Sequence, residues 1–348
     1  MLGHLEELPF SEQLRRAEEN EDLHTWGLTQ FLLQRCREVV SENPRKALER
    51  AELAEVVSRH LSSAYDSGWL LDLRARAFAH LGNARRVVGE LLSAESSFRE
   101  AECCLERSQT GNAWAEAEVL DMKGSLRMDQ RRFEEAGELF DRARDLYRQE
   151  GDPHGLAKVF LKQAKLFREM EDLEQAIDWL RRTPQEIDQG QEPRLFASGM
   201  YNLLVALSRA DQFTEALELL PEVQELFRKA ALPLDRVRLR WTEGNIAFGL
   251  DRLDEAEAAY REVQQEFMKH GVLYSMALVS LDLALLLSRQ GRTEELKRLA
   301  AELMAIFSAQ EVHREATAAL VLFQRACEEE RVTAELIARL ATLLRRKG

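Results

Sequence analysis

The chain has 348 residues, of which 45% are hydrophobic and 31% are charged, and only 7 are proline. This composition excludes an intrinsically disordered chain, and its many Leu, Ala, Glu and Arg residues are typical of helices. The 48 basic and 61 acidic residues give a net charge of −13. Because proteins that bind nucleic-acid phosphates usually carry a basic surplus, we predict no direct binding to nucleic acid or to anionic membranes.

The sequence lacks the usual signs of secretion, membrane insertion and metal binding. Residues 1–10 have no basic region followed by an apolar core, as a signal peptide would have. The most apolar run, residues 272–287, contains serine and aspartate and is too short and too polar to span a bilayer. The four cysteines lack metal-ligand spacing and are expected to be free thiols. We therefore predict a soluble, cytoplasmic protein without cofactor or metal.

Three parts are predicted in chain order. Residues 1–22 form an N-terminal leader, whose Leu2, Leu5 and Leu8 are expected to pack on the first repeat or, alternatively, to bind a partner. Residues 23–310 form repeats one to seven. Residues 311–348 form the last helix pair and a C-terminal cap, whose final basic residues complement the negative end of a helix dipole.

A repeat of about 40 residues underlies this division. Each unit has a first helix with a small residue, a short polar turn, and a second helix. A small residue in the second helix lets the two helices approach closely, and a large residue four positions later fills the adjacent space. The equivalent positions in the second helices, spaced by 47, 42 and then five times 40 residues, are Ala47, Ala94, Ala136, Ala176, Ala216, Ala256, Leu296 and Leu336.

One unit carries most of a known motif. The tetratricopeptide pattern W-x2-L-G-x2-Y…A-x3-F…P is matched or conservatively replaced at Phe78, Leu81, Gly82, Ala94 and Phe98. The unit departs from the pattern at Arg85, where the motif has Tyr, and at Glu106, where it has Pro. Over about nine tenths of its length the chain resembles the tetratricopeptide repeat superfamily. This resemblance implies an all-α solenoid, a right-handed superhelix of about eight antiparallel helix pairs.

The period of 40 residues exceeds the usual 34 of this superfamily. Long repeats of this kind resemble the tetratricopeptide arms of bacterial regulators, such as peptide-responsive quorum-sensing receptors and ATPase-linked transcription activators. The sequence itself contains no HExxH motif, no glycine-rich phosphate loop and no Gly-x-Ser-x-Gly, and its seven histidines are scattered. We therefore predict that the chain is not an enzyme.

The resemblance implies that the first helices line a concave groove, and this groove is the predicted binding site. Four cations at spacings of four, three and three residues form one stripe along a first helix: Lys158, Lys162, Lys165 and Arg168. Such a stripe suits an acidic segment or a chain-terminal carboxylate. The alternative is a solvated surface whose charges are balanced by acidic residues of neighbouring helices.

Other groove positions, carried over from the family, complete the predicted site. They are Asn83, Arg86, Tyr201, Val205, Trp241, Asn245 and Phe248. The asparagines are candidates for hydrogen bonds to a bound backbone, and the aromatic residues are candidate anchors for a peptide. The alternative for the aromatic residues is a place in the helical core.

The leading functional prediction is a non-catalytic adaptor whose groove grips a peptide, tail or helix of a partner protein. One alternative is a peptide-sensing arm of a bacterial transcription or signalling system that acts on a separate effector. Another is an oligomeric scaffold. The sequence does not specify the ligand, the oligomeric state or the pathway.

Overall fold

A computed structural model describes residues 8–40, 43–61, 65–230, 233–309, 335–337 and 339. Leu2 and Leu5 of the predicted leader, and most of the predicted last helix pair, lie outside these residues. The described residues form helices and turns and contain no strand. The predicted all-α class is therefore confirmed for this part of the chain.

The helices follow one another with short connections. In chain order they are α1 (Phe10–Glu19), a 3₁₀ turn (Glu21–Leu23), α2 (Trp26–Val39), α3 (Pro44–Arg59), α4 (Ser67–Val87), α5 (Leu91–Ser108), α6 (Ala113–Asp129), α7 (Phe133–Glu150), α8 (Pro153–Glu169), α9 (Leu173–Leu180), α10 (Thr183–Glu186), α11 (Pro193–Arg209), α12 (Phe213–Ala230), α13 (Pro233–Gly249), α14 (Leu253–Lys269), α15 (Leu273–Arg289) and α16 (Thr293–Ala309).

These helices form two compact units. Unit 1 comprises Met1–Asp172 and Arg182–Leu195, and unit 2 comprises Leu173–Arg181 and Phe196–Gly348. Within unit 1, α2 pairs with α3, α4 with α5 and α6 with α7, while the first helices α4, α6 and α8 also contact one another in succession. Unit 2 repeats this arrangement, with α13 against α14 and α13 against α15.

The predicted packing of small against large residues is confirmed. The alanines at the equivalent positions of the second helices, from Ala47 to Ala256, are no more than 1% exposed. In the first helices, glycine provides the space for the aromatic ring of the paired helix. A Cβ atom added to Gly82 would lie 2.8 Å from Phe98, and one added to Gly124 would lie 2.6 Å from Phe140. These close approaches hold the α4–α5 and α6–α7 pairs together.

The turn inside each pair repeats with the same period as the packing. A residue with positive φ ends the first helix at position 89, 131, 171, 211, 251 and 291. Only the first and last of these are glycine; the others are Arg131, Glu171, Asp211 and Asp251, each with φ near +60°. Because this left-handed conformation disfavours residues other than glycine, the packing of the flanking helices must impose it.

Two features depart from the regular pattern. The helix α1 packs on α3, and Leu8 and Phe10 contact the apolar cluster that contains Leu33 and Leu53. Leu8 therefore packs on the first repeat, as one of the two interpretations predicted. The second departure is the short α9, which has 8 residues where α7 and α12 have 18. It stops just before Pro184, whose fixed φ suits the start of a new helix, α10.

Candidate partner-binding surface

The predicted cationic stripe lies on α8 in unit 1, and we call its four residues, Lys158, Lys162, Lys165 and Arg168, the basic surface. Lys162 is fixed in place, because its Nζ atom donates a hydrogen bond to Oδ1 of the buried Asp121 on α6 at 2.6 Å. Lys165 is exposed, and Lys158 and Arg168 are partly exposed. None of these three side chains forms a hydrogen bond or an ion pair with any residue that the structure describes.

Positive charge accumulates around Lys162. Burial lowers the pKa of its amine, and Asp121 opposes this shift by stabilising the charged form. Lys158 on the same helix and Arg86 on α4 lower the pKa further, because both place positive charge near the amine. The structure therefore brings Arg86 together with the basic surface, and among the described residues Lys162 forms its ion pair with Asp121.

Asn83 and Arg86 are engaged with neighbouring side chains. The guanidinium of Arg86 donates from Nε and Nη2 to Oδ1 of Asn83, at 3.1 and 3.0 Å. Its Nη1 atom pairs with Asp129 on α6 at 2.5 Å. The carboxamide oxygen of Asn83 thus already accepts hydrogen bonds from Arg86, and the NH₂ group of Asn83 remains to donate to a partner.

A buried ionic network centred on Glu118 of α6 was not predicted from the sequence. Its carboxylate accepts from Arg76 Nε at 2.7 Å and from His80 Nε2 at 3.1 Å, both on α4. Arg37 on α2 adds a third contact at 3.3 Å. The side chains of Glu118 and Arg76 are each 6% exposed and that of His80 is 1% exposed. One carboxylate therefore joins three successive first helices.

The network continues to α8 through Trp114. The guanidinium of Arg76 stacks over the Trp114 ring at 4.3 Å from its centroid. The Nε1 atom of Trp114 donates to Oδ2 of Asp152 at 3.1 Å, while Oδ1 of Asp152 accepts from Gly155 N at 2.9 Å and caps α8. The start of the helix that bears the basic surface is thus tied to the buried network.

Burial and charge act in opposition within this network. Burial alone would raise the pKa of Glu118, but Arg76, His80 and Arg37 outweigh it and hold the pKa well below its usual value. Burial lowers the pKa of His80, and Glu118 offsets only part of that shift. Glu118 is therefore an anion and His80 a neutral ring in the folded protein near pH 7. A neutral His80 donates its Nε2 hydrogen to the carboxylate.

The remaining predicted residues lie in unit 2, on α11 and α13. Tyr201 and Val205 are partly buried on α11, and the hydroxyl of Tyr201 lies 3.2 Å from Thr242 Oγ1 on α13. The Tyr201 ring also packs against Phe227, with centroids 5.1 Å apart. The structure thus places Tyr201 of α11 against α13, and the Tyr201 ring lies partly in the core.

The three predicted residues of α13 are also engaged. Trp241 donates from Nε1 to Asp282 Oδ2 at 2.7 Å and packs edge-on against Phe267. Asn245 Oδ1 accepts from the hydroxyl of Tyr260 at 3.0 Å. The Phe248 ring lies 5.4 Å from the guanidinium carbon of Arg289. All three side chains are partly buried, so a partner can contact only the exposed part of each one.

These contacts join residues that are about one repeat period apart in the sequence. This spacing was not used to predict the site. Arg76 and His80 precede Glu118 by 42 and 38 residues. Lys162 follows Asp121 by 41 residues, and Asp282 follows Trp241 by the same number. Polar partners on neighbouring first helices are therefore separated by about one period. A search for complementary side chains at that separation would have identified them.

The described residues do not support a metal site. They contain no group of three or more His, Cys, Asp and Glu residues placed to hold an ion. None of the helices in the described part of the chain is long and apolar enough to cross a membrane. Cys36 and Cys104 are buried thiols and Cys103 is an exposed one.

Comparisons with known proteins agree with the helical repeat. Residues 116–183 match the family model of the tetratricopeptide repeat. No curated protein matches the chain in sequence. Among solved structures, the fold resembles that of aspartyl phosphate phosphatase F from Bacillus subtilis, with a TM-score of 0.62 and 11% identity over 86% of this chain and 76% of that chain.

Two further structures share the fold. A Rap protein complexed with competence and sporulation factor gives a TM-score of 0.54 and 14% identity, covering 92% of this chain and 90% of that chain. A signal transduction ATPase with numerous domains and a tetratricopeptide repeat sensor, from Pyrococcus horikoshii, gives 0.59 and 11% identity, covering 92% of this chain and 52% of that chain. This chain is therefore a repeat protein with the tetratricopeptide fold, and residues 116–183 carry the sequence signature of that repeat.

Proposed function

We propose that the chain is a non-catalytic adaptor that holds an acidic segment of a partner protein on the basic surface of α8. The observation that carries this proposal is that Lys158, Lys165 and Arg168 have no carboxylate partner among the described residues. The chain has 61 acidic residues. Most arginines of unit 1 pair with a carboxylate, as Arg37, Arg76 and Arg127 do, whereas three cations of α8 have no such partner among the described residues. A carboxylate from a second molecule would satisfy them.

The geometry fits a short peptide. Lys158 and Arg168 are ten residues apart on a helix, which corresponds to about 15 Å along its axis. An extended peptide covers this distance with about five residues. Lys162, held by Asp121, and the capped start of α8 keep the surface rigid. A rigid surface loses little conformational entropy on binding, which favours affinity.

The test uses the full-length chain and a fluorescein-labelled hexaglutamate peptide, with binding followed by fluorescence anisotropy. The test variant combines Lys165→Gln with Arg168→Gln, because neither side chain contributes an ion pair to the described structure. The control combines Arg99→Gln with Arg107→Gln, two exposed cations of α5 that also lack a partner among the described residues. Both variants change the net charge equally.

We expect the α8 variant to bind the peptide roughly threefold to tenfold more weakly than the unmodified chain, since each exposed charge pair contributes up to about 1 kcal/mol. The α5 variant should bind as the unmodified chain does. Binding should also weaken as salt is added. Equal affinities for the two variants would show that the basic surface is not the site, and absence of any binding would refute the acidic partner.

A second candidate is a peptide-sensing arm that acts on a separate effector. Its support is the fold shared with a Rap protein complexed with competence and sporulation factor and with a signal transduction ATPase that has a tetratricopeptide repeat sensor. A sensor must change shape when it binds, whereas an adaptor need not. Small-angle scattering with and without saturating peptide separates the two, since an unchanged radius of gyration favours the adaptor. An oligomeric scaffold, the third prediction, would elute from size-exclusion chromatography above the monomer mass.

A further inference from the structure

Three aromatic side chains of unit 1 lie at the starts of two first helices, α2 and α4. Trp26 is the first residue of α2, and Tyr65 and Trp69 lie just before and just after the start of α4. The rings of Trp26 and Tyr65 are 5.8 Å apart at an angle of 44°. Tyr65 is 39% exposed and Trp69 is 53% exposed. We call these three residues the aromatic rim.

The backbone beneath the aromatic rim is firmly held. Oδ1 of Asp66 accepts from the backbone N atoms of Gly68 and Trp69, at 2.9 and 3.3 Å, and caps α4. Gly68 packs so closely on the next loop that an added Cβ atom would lie 2.7 Å from a Thr110 methyl group. The exposed rings therefore stand on a fixed support. Binding them costs little conformational entropy, because Trp and Tyr have only two side-chain torsions.

Unpaired acidic groups accompany the aromatic rim. Glu21 and Asp22 are exposed in the 3₁₀ turn that precedes α2, and neither has an ion-pair partner among the described residues. Leu23 of this turn is buried, and His24 stacks on His60 with centroids 4.8 Å apart. These contacts fix the turn at the same end of unit 1, since His60 lies five residues before Tyr65.

Two nearby cations, Arg59 and Arg74, are already engaged. Arg59 pairs with Glu55 at 2.8 Å. Arg74 donates to the backbone carbonyls of Ser58 and Arg59, at 2.9 and 3.0 Å, and so caps the end of α3. The end of unit 1 that bears the aromatic rim thus exposes aromatic faces and free carboxylates, and Arg59 and Arg74 are satisfied internally.

We propose that the aromatic rim is a second interaction surface, which binds an arginine-containing basic segment of a partner protein. A guanidinium group stacks on the exposed face of Trp69 or of Tyr65, since the face of an aromatic ring attracts a cation. A neighbouring basic residue of the same segment pairs with Glu21 or Asp22. Arginine is preferred to lysine, because the planar guanidinium both stacks and donates hydrogen bonds along its edge.

This proposal is tested on the full-length chain with two fluorescein-labelled octapeptides, one of alternating arginine and glycine and one of alternating lysine and glycine. The first test variant is Trp69→Ala, and the second combines Glu21→Gln with Asp22→Asn. Leu92→Ala is the control for the tryptophan, because Leu92 is 88% exposed on α5. Glu134→Gln with Glu138→Gln is the control for the acids, because both carboxylates are exposed on α7 without a partner in the described structure.

We expect each test variant to bind the arginine peptide about threefold more weakly than the unmodified chain, from the loss of one exposed cation–π or charge contact. Both controls should bind as the unmodified chain does, and the lysine peptide should bind more weakly than the arginine peptide. Unchanged affinity in Trp69→Ala would overturn the proposal. So would an equal loss in the Glu134/Glu138 control, since binding would then reflect net charge alone. The Lys165→Gln/Arg168→Gln variant should bind this peptide normally, so the two surfaces are tested independently.

Discussion

Replacing Glu118 with glutamine tests the buried network of unit 1 most directly. The substitution keeps the size of the side chain but removes the charge that faces Arg76, His80 and Arg37. Arg76 has a side-chain exposure of 6%, so its guanidinium would stay buried without a counter-ion. Removing one partner of a buried ion pair costs about 3–5 kcal/mol. Because the glutamine amide oxygen still accepts a hydrogen bond, we expect the lower end, about 3 kcal/mol.

The expected loss is large enough for a simple assay. For a folding unit of about 150–250 residues, 3 kcal/mol lowers the Tm by roughly 6–12 °C. Thermal unfolding is followed by circular dichroism for all helices and by tryptophan fluorescence, to which Trp114, stacked on Arg76, contributes as one of five tryptophans. Both transitions should shift to lower temperature, because repeats unfold with their neighbours.

Glu116 is a matched control on the same helix. It pairs with Arg142 at 2.9 Å, and the two side chains are 40% and 64% exposed. Since exposed pairs contribute no more than about 1 kcal/mol, Glu116→Gln should leave the Tm nearly unchanged. If Glu118→Gln and Glu116→Gln lowered the Tm equally, the buried network would stabilise the fold no more than an exposed ion pair does.

Two further predictions concern pH and packing. The folded pKa of His80 is lowered below the ordinary 6.5, so an unfolded chain binds a proton that the folded chain does not once the pH falls below about 6.5. The free energy of unfolding should therefore decrease as the pH falls below about 6.5. Protonation of Glu118 should cause a second decrease below about pH 4.5. In urea titrations at several pH values, the His80→Gln variant should show only the second decrease. Gly124→Ala should destabilise unit 1 by about 1–3 kcal/mol, because the new methyl group meets the buried Phe140 ring. Gly137→Ala, whose Cβ would have ordinary contact at 3.6 Å, should instead stabilise by up to about 1 kcal/mol in the same urea titration; equal effects would contradict the packing argument.

Much of the fold could be predicted, because tight packing restricts the size of the residue at recurring positions of the sequence. The buried alanines from Ala47 to Ala256 recur with the repeat, and from Ala94 onward an aromatic residue or leucine follows four positions later. The turns are harder to recognise from their residue types. Asp211 and Asp251 adopt a left-handed conformation without glycine, so neither residue identifies the turn by itself. The break after α9 was also missed, although Pro184 is the kind of residue that ends a helix.

The candidate site was predicted less completely, since its geometry depends on which side chains of neighbouring helices meet. The four cations of α8 were identified, but the sequence analysis did not separate Lys162, which Asp121 holds, from the other three. Glu118 was missed because its partners are distant in the chain. The aromatic residues of unit 2 were placed on the correct helices, yet Trp241 and Asn245 use their polar atoms internally.

The repeat itself explains why the three cations of α8 are unpaired. Contacts between first helices join residues about 41 positions apart, as Lys162 and Asp121 show. One period before Lys158, Lys165 and Arg168 the sequence has Ala117, Gly124 and Arg127, none of which is acidic. Gly124 cannot become acidic without losing its close contact with Phe140. At the separation seen for Lys162 and Asp121, α6 therefore places no carboxylate opposite these three cations, and we infer that a second molecule brings one.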